Sequence, residues 1–122
     1  MTFTIQPSTI RNLHALTGDA HTALAYGKDI ADLLAEDETV RPDEADLLAA
    51  AVAVALGVAA RTIGGFQVSV LAPSAIEYTL TTAASTAAAG LNAIRGGSID
   101  TCLPAVIRDA MIFQLTDLDE QD

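Results

Sequence analysis

Between Leu47 and Ala60 the chain runs for 14 residues without a single polar side chain. A surface helix keeps a polar stripe toward water, so a helix apolar all round must be covered on nearly all sides. Three environments can cover it: the centre of a bundle, a subunit interface, or a bilayer. The run is bracketed by Asp46 and Arg61, short of the ~20 apolar residues that a spanning helix needs. Gly64-Gly65 and Pro73 prevent a simple extension, so the membrane reading, a small membrane-active helical hairpin, ranks last. The helix opens at Pro42, with Asp43, Glu44 and Asp46 at its start, where proline fits the first turn and carboxylates favour the positive end of the helix dipole.

The rest of the chain reads as helices of the same thin kind. Pro7-Ser8-Thr9 is a helix entry, and apolar or small residues then recur at Ile10, Leu13, Leu16, Ala20, Leu24, Gly27, Ala31 and Leu34. That spacing predicts one helix to about residue 36, bent or interrupted where Gly18 precedes Asp19. Glu36 to Arg41 is a polar connector. Phe66-Gln67-Val68-Ser69-Val70 alternates apolar and polar residues, the pattern of an extended connector or one short strand near 66–70. Ser74 and Glu77 have the spacing of a capping box. The helix they start carries Ile76, Leu80, Ala84, Ala87, Leu91 and Ile94 on one side and ends at Gly96-Gly97. A last helix, from Asp100 or Thr101 to Leu115 with Pro104 in its first turn, presents Leu103, Val106, Ile107, Ala110 and Phe113, and residues 116–122 form an acidic, frayed tail. Two joints look alike, Gly64-Gly65 to Pro73 and Gly96-Gly97 to Pro104, and glycine ending helices while proline starts them accounts for both.

The core these helices build is poor in large side chains. There is no Trp among 122 residues, and only three Phe and two Tyr. Alanine has one methyl group to bury, so each helix gains less from burial than a leucine-rich one, and a partner subunit often completes such a core. Ala83-Ala84 and Ala87-Ala88-Ala89-Gly90, interleaved with Thr79, Thr81, Thr82, Ser85 and Thr86, make a small-residue face that permits close helix–helix approach, within the chain or between chains. The net charge of −10 repels nucleic-acid phosphates, and no polybasic segment favours an anionic membrane.

Chemistry finds few candidates. His14 and His21 are seven residues apart, about 10 Å along an unbroken helix, too far to share one metal ion without further ligands. Asp29 with Asp32, and Asp43, Glu44 and Asp46, lie where solvation and the helix dipole account for them. Cys102 has no intramolecular disulfide partner and reads as a small buried cysteine at a helix start. Arg61 and Arg95 each precede a glycine pair, as cations at helix C-termini do. The glycine pairs lack the Lys and Ser/Thr of a phosphate loop. No catalytic, cofactor-binding or metal-binding residue is assigned, and no cofactor is expected. Met1 to Gln6 has neither the basic nor the apolar stretch of a signal peptide, so the expected location is the cytoplasm or a larger assembly, with export by a route that leaves no cleavable signal as the other option.

The pattern Phe3-x-Ile5-x-Pro7-x-x-Ile10-x-x-Leu13, leading into a long Ala-rich helix, resembles the start of small ESX-type (type VII) secreted helical proteins. That resemblance implies a helical hairpin that pairs with a second small helical chain and leaves the cell uncleaved. The chain departs from the family in lacking Trp, hence its Trp-x-Gly turn, and no acid follows Tyr26 or Tyr78 by four residues. No functional residue carries over.

The sequence therefore predicts an all-α protein: one domain over residues 1–122, a compact bundle of four main helices joined by short Gly/Pro connectors. Its expected role is a non-enzymatic structural or interaction subunit that self-associates, for example a component of a larger assembly such as a phage particle. The partners expected are a second copy or other subunits of an assembly, with no nucleic acid. The candidate interface residues are Leu48, Val52, Ala55, Val58 and Ala59 on the Leu47–Ala60 helix and Ala84, Ala87, Ala88 and Leu91 on the next.

Overall fold

The structure, a computed structural model, describes residues 4–64, 72–96 and 101–117. It is all-α, and the described residues form five helices, α1 (Pro7–His14), α2 (Ala20–Glu36), α3 (Ala45–Gly64), α4 (Pro73–Arg95) and α5 (Leu103–Leu115), with a 3₁₀ turn at Pro42–Glu44 leading into α3. No strand occurs among the described residues; the short strand expected near 66–70 falls outside them.

The count of five, not four, comes from one break. Gly18 takes a left-handed φ of 72°, and the Asp19 carboxylate accepts from the Thr22 backbone N–H (3.0 Å) and hydroxyl (2.7 Å) to start α2. A glycine stop followed by an aspartate N-cap ends one helix and begins another. The break also resets the helical phase. Ala23, Gly27, Ile30, Ala31 and Leu34 face inward on α2, whereas Ala20 and Leu24 of the expected stripe are exposed.

The end of α2 carries no glycine, yet it closes as a Schellman motif. The Thr39 N–H bonds the Leu34 carbonyl (3.0 Å) and the Glu38 N–H bonds that of Ala35 (3.1 Å), which places Glu38 at φ 61°, a position where glycine avoids a penalty of ~1 kcal/mol. Glu38→Gly is therefore expected to stabilise the protein by about 1 kcal/mol, visible as a melting temperature several degrees higher. At the start of α4 the expected capping box does not form. Pro73 begins the helix, Ala72 takes the N-cap position, and no side chain caps it, because a proline at N1 puts Ser74 inside the first turn. The other end behaves as expected: Gly96, at φ 64°, returns its N–H to the Asn92 carbonyl.

Helices α2, α3, α4 and α5 pack in a ring, each against the next and α5 back against α2, while α1 bridges α3 and α5. One contiguous core runs through them, with Leu48, Val52, Leu56 and Ile63 of α3, Ile76, Leu80 and Leu91 of α4, and Leu103, Ile107 and Met111 of α5 all buried. At Gly27 the α2 backbone lies directly on the Ala49–Ala53 turn of α3.

Two polar clasps hold the ring, and neither is evident in the sequence. Arg95, at the end of α4, reaches the start of α3 and donates to both carboxylate oxygens of Glu44 (2.9 and 3.1 Å) and to the Thr39 carbonyl (3.1 Å). The Arg41 N–H donates to Glu44 as well (3.0 Å). Glu44 is only 5% exposed, so it is not one of a solvated acidic cluster, and Arg95 does more than complement its own helix end. These hydrogen bonds, Arg95 foremost, pull the Glu44 carboxyl down from 4.5 to about 2. A folded-state pKa below the unfolded one gives stability that is present above pH 4.5 and lost as the pH falls through about 2. Denaturant titrations from pH 5 to pH 2 should show a loss on the order of 2–3 kcal/mol from this group, and Glu44→Gln should remove that portion of the pH dependence. At the opposite end of the bundle, Ser8 and Thr9 of α1 are buried. The Ser8 hydroxyl accepts from the Asp117 N–H (3.0 Å), Thr9 meets Thr116 hydroxyl to hydroxyl (2.5 Å), and Asn12 donates to the Leu115 carbonyl (2.7 Å). Thr116 and Asp117 are thus tied down, not frayed.

Candidate functional site

Helix α3 has two apolar faces. Leu48, Ala49, Val52, Ala55, Leu56, Ala59, Ala60 and Ile63 face the core. The opposite side bears Leu47, Ala51, Val54 and Val58, whose 4-3-4 spacing draws one stripe along the helix. This side is uncovered: Leu47 is 44% exposed, Val54 69% and Val58 49%. The single chain covers only part of the run, because its helical neighbours α1, α2 and α4 leave the outward side open.

Beside the stripe lies a groove of about 540 Å³ between α3 and α4. Its floor is Ala55, Ala59, Ala83 and Ala87, and its walls are Leu47, Val54 and Val58 on one side and Tyr78, Thr79, Thr82 and Thr86 on the other. No charged residue among the described ones lines it. Six large apolar side chains are exposed among the described residues, and four of them, Leu47, Val54, Val58 and Tyr78, line this one groove. Single exposed apolar residues are ordinary on a protein surface, whereas four that converge on one groove make it the candidate site among the described residues.

The threonines do not make the groove wet. Thr62, Thr79, Thr82 and Thr86 donate their hydroxyls to the carbonyls of Val58, Ala75, Tyr78 and Thr82 one turn back, at 2.9 to 3.1 Å. A hydroxyl bonded within its own helix can lose water without being left unsatisfied. The face can therefore be dried at little polar cost.

The structure sorts the candidate interface residues into two groups. Leu48, Val52, Ala84, Ala88 and Leu91 are buried in the core of the single chain and do not line the groove. Ala55, Ala59 and Ala87 floor the groove, and Val58 stands exposed at its wall. Leu47, Val54, Tyr78 and the threonine row complete the face and were absent from the candidates. Their signal was present, since an apolar stripe on the far side of a helix that also has a core stripe marks a second contact surface.

The chemical candidates are placed apart from this face. His14 ends α1 and His21 lies in the first turn of α2, both exposed. Cys102, expected to be buried, is exposed just before α5. Among the described residues no group of three or more His, Cys, Asp or Glu side chains is placed to hold a metal ion. The helical stretch Pro42–Gly64 is 23 residues long and, by length and composition only, apolar enough to cross a membrane, as the core helix of a bundle also is. The chain matches no protein-family model, no curated protein and no solved structure.

Proposed function

We propose that the protein is a structural or interaction subunit that associates with further copies of itself through the outer face of α3 and the adjoining groove. The observation that carries this reading is the convergence of Leu47, Val54, Val58 and Tyr78 on one uncharged groove. A small protein with a net charge of −10 keeps its solubility despite such a face. Burying the stripe and groove against a partner supplies the apolar contact that an alanine-rich core lacks. Incorporation into a larger assembly such as a phage particle is one form of this role. Light scattering coupled to size-exclusion chromatography in detergent-free buffer tests it, and a discrete oligomer is the expected result. A monomer at high micromolar concentration would overturn it.

A second reading, ranked below the first, has α3 leave the bundle for a bilayer, which the Pro42–Gly64 stretch allows by length and composition only. That requires exposing the core residues Leu48, Val52 and Leu56, so it predicts partitioning into vesicles with loss of the α3–α4 contact. Protein that stays in the aqueous phase with its oligomeric mass unchanged rules this reading out.

A further inference from the structure

Along its whole length, Ala45–Gly64, α3 carries only two charged side chains, Asp46 near its start and Arg61 near its end. Both are exposed, and they flank the apolar stripe about 22 Å apart along the axis. Resting on the self-association proposed above, we infer that the occupant of this face is a second copy whose α3 lies antiparallel on the first, related by a two-fold axis that crosses the helix between Ala51 and Val54. In that arrangement Leu47 packs on Val58 of the second copy and Ala51 on its Val54, so the 4-3-4 stripe is complementary to itself, as a two-fold interface demands. Each Arg61 then lies beside the other copy's Asp46. A parallel pairing in the same register sets guanidinium against guanidinium and loses both attractions. The charges thus choose the orientation, while the apolar stripe supplies the contact.

Thiol cross-linking separates the orientation from the association. With Cys102→Ser as background, because Cys102 is exposed, Val54→Cys and Leu47→Cys are treated with a short bis-maleimide, and each variant's mass is followed by light scattering. In the antiparallel dimer the two residues at 54 lie within one helical turn of each other, and those at 47 are displaced by roughly 16 Å along the axis. The expected result is a dimer that links efficiently at 54 and not at 47. A dimer that links equally well at both sites is parallel, which overturns the geometry and leaves self-association standing. A dimer that links at neither uses another surface, again overturning the geometry alone, and a monomer removes both. Arg61→Asp should raise the dimer dissociation constant roughly tenfold, since two exposed ion pairs become two repulsions. Adding Asp46→Arg should restore it, and failure of that rescue would overturn the pairing even if a dimer persists.

Discussion

Val54→Asp is expected to yield a folded monomer. Val54 is 69% exposed in the single chain, and Asp and Val differ little in helix propensity, so the melting temperature and helical circular dichroism should stay close to wild type. In the proposed antiparallel dimer the same position lies near the two-fold axis. Two carboxylates, one from each copy, would be buried without a cation, at on the order of 3–5 kcal/mol for each unpaired charge. The dissociation constant should rise by at least two orders of magnitude, and light scattering should report the monomer mass. From the sequence alone a charge at Val54 is expected to abolish folding or assembly without distinction. The exposure of the stripe narrows that to assembly. A Val54→Asp protein that keeps its oligomeric mass would remove the outer face of α3 from the interface.

Gly27→Ala is expected to be the most damaging single methyl group in the protein. A Cβ at Gly27 would collide with the Ala49 carbonyl oxygen and sit 3.2 Å from its carbon and 3.3 Å from the Ala53 nitrogen. These are backbone atoms of α3, so no rotamer change relieves the clash and the two helices must separate. In a tight core such overpacking costs 1–3 kcal/mol and occasionally more; here the upper end, about 3 kcal/mol, is expected because the obstacle is main chain. Against a total of roughly 5–15 kcal/mol for a domain, that leaves little margin in an alanine-built core. Urea unfolding monitored by circular dichroism measures it directly. By contrast, Gly57 and Gly90 face open space, and alanine there should be neutral or mildly stabilising because helix propensity improves. A neutral Gly27→Ala would mean that α2 and α3 do not approach as closely as described.

The two variants report on opposite sides of one helix. Gly27 presses on the inward face of α3 and holds the bundle; Val54 stands on the outward face and would hold the assembly. Sensitivity of folding at the first and of mass at the second, each without the other, is the pattern that a two-faced helix produces.

The residue pattern was enough for the helical class and most helix ends, because capping and periodicity are local. Gly96 stops α4 through a left-handed residue, Pro7, Pro42 and Pro73 each open a helical turn, and the Gly18-Asp19 pair already carried the stop and start that divide α1 from α2. It also marked Leu47–Ala60 as the segment on which the protein turns, since no polar side chain there can face water without loss. What lay beyond it were the properties set by which surfaces meet. The burial of Glu44 needs Arg95, 51 residues away, and the burial of Thr9 needs Thr116, 107 away; no local pattern announces such pairs. Which half of the apolar run is core and which is surface depends on how the helices pack, as does the placing of Tyr78 and a row of self-bonded threonines beside it. Periodicity tells that a residue must be covered, whereas the number of helices around it decides whether its own chain can do the covering. Among the described helices α1, α2 and α4 make the main contacts with α3, and one side is left open.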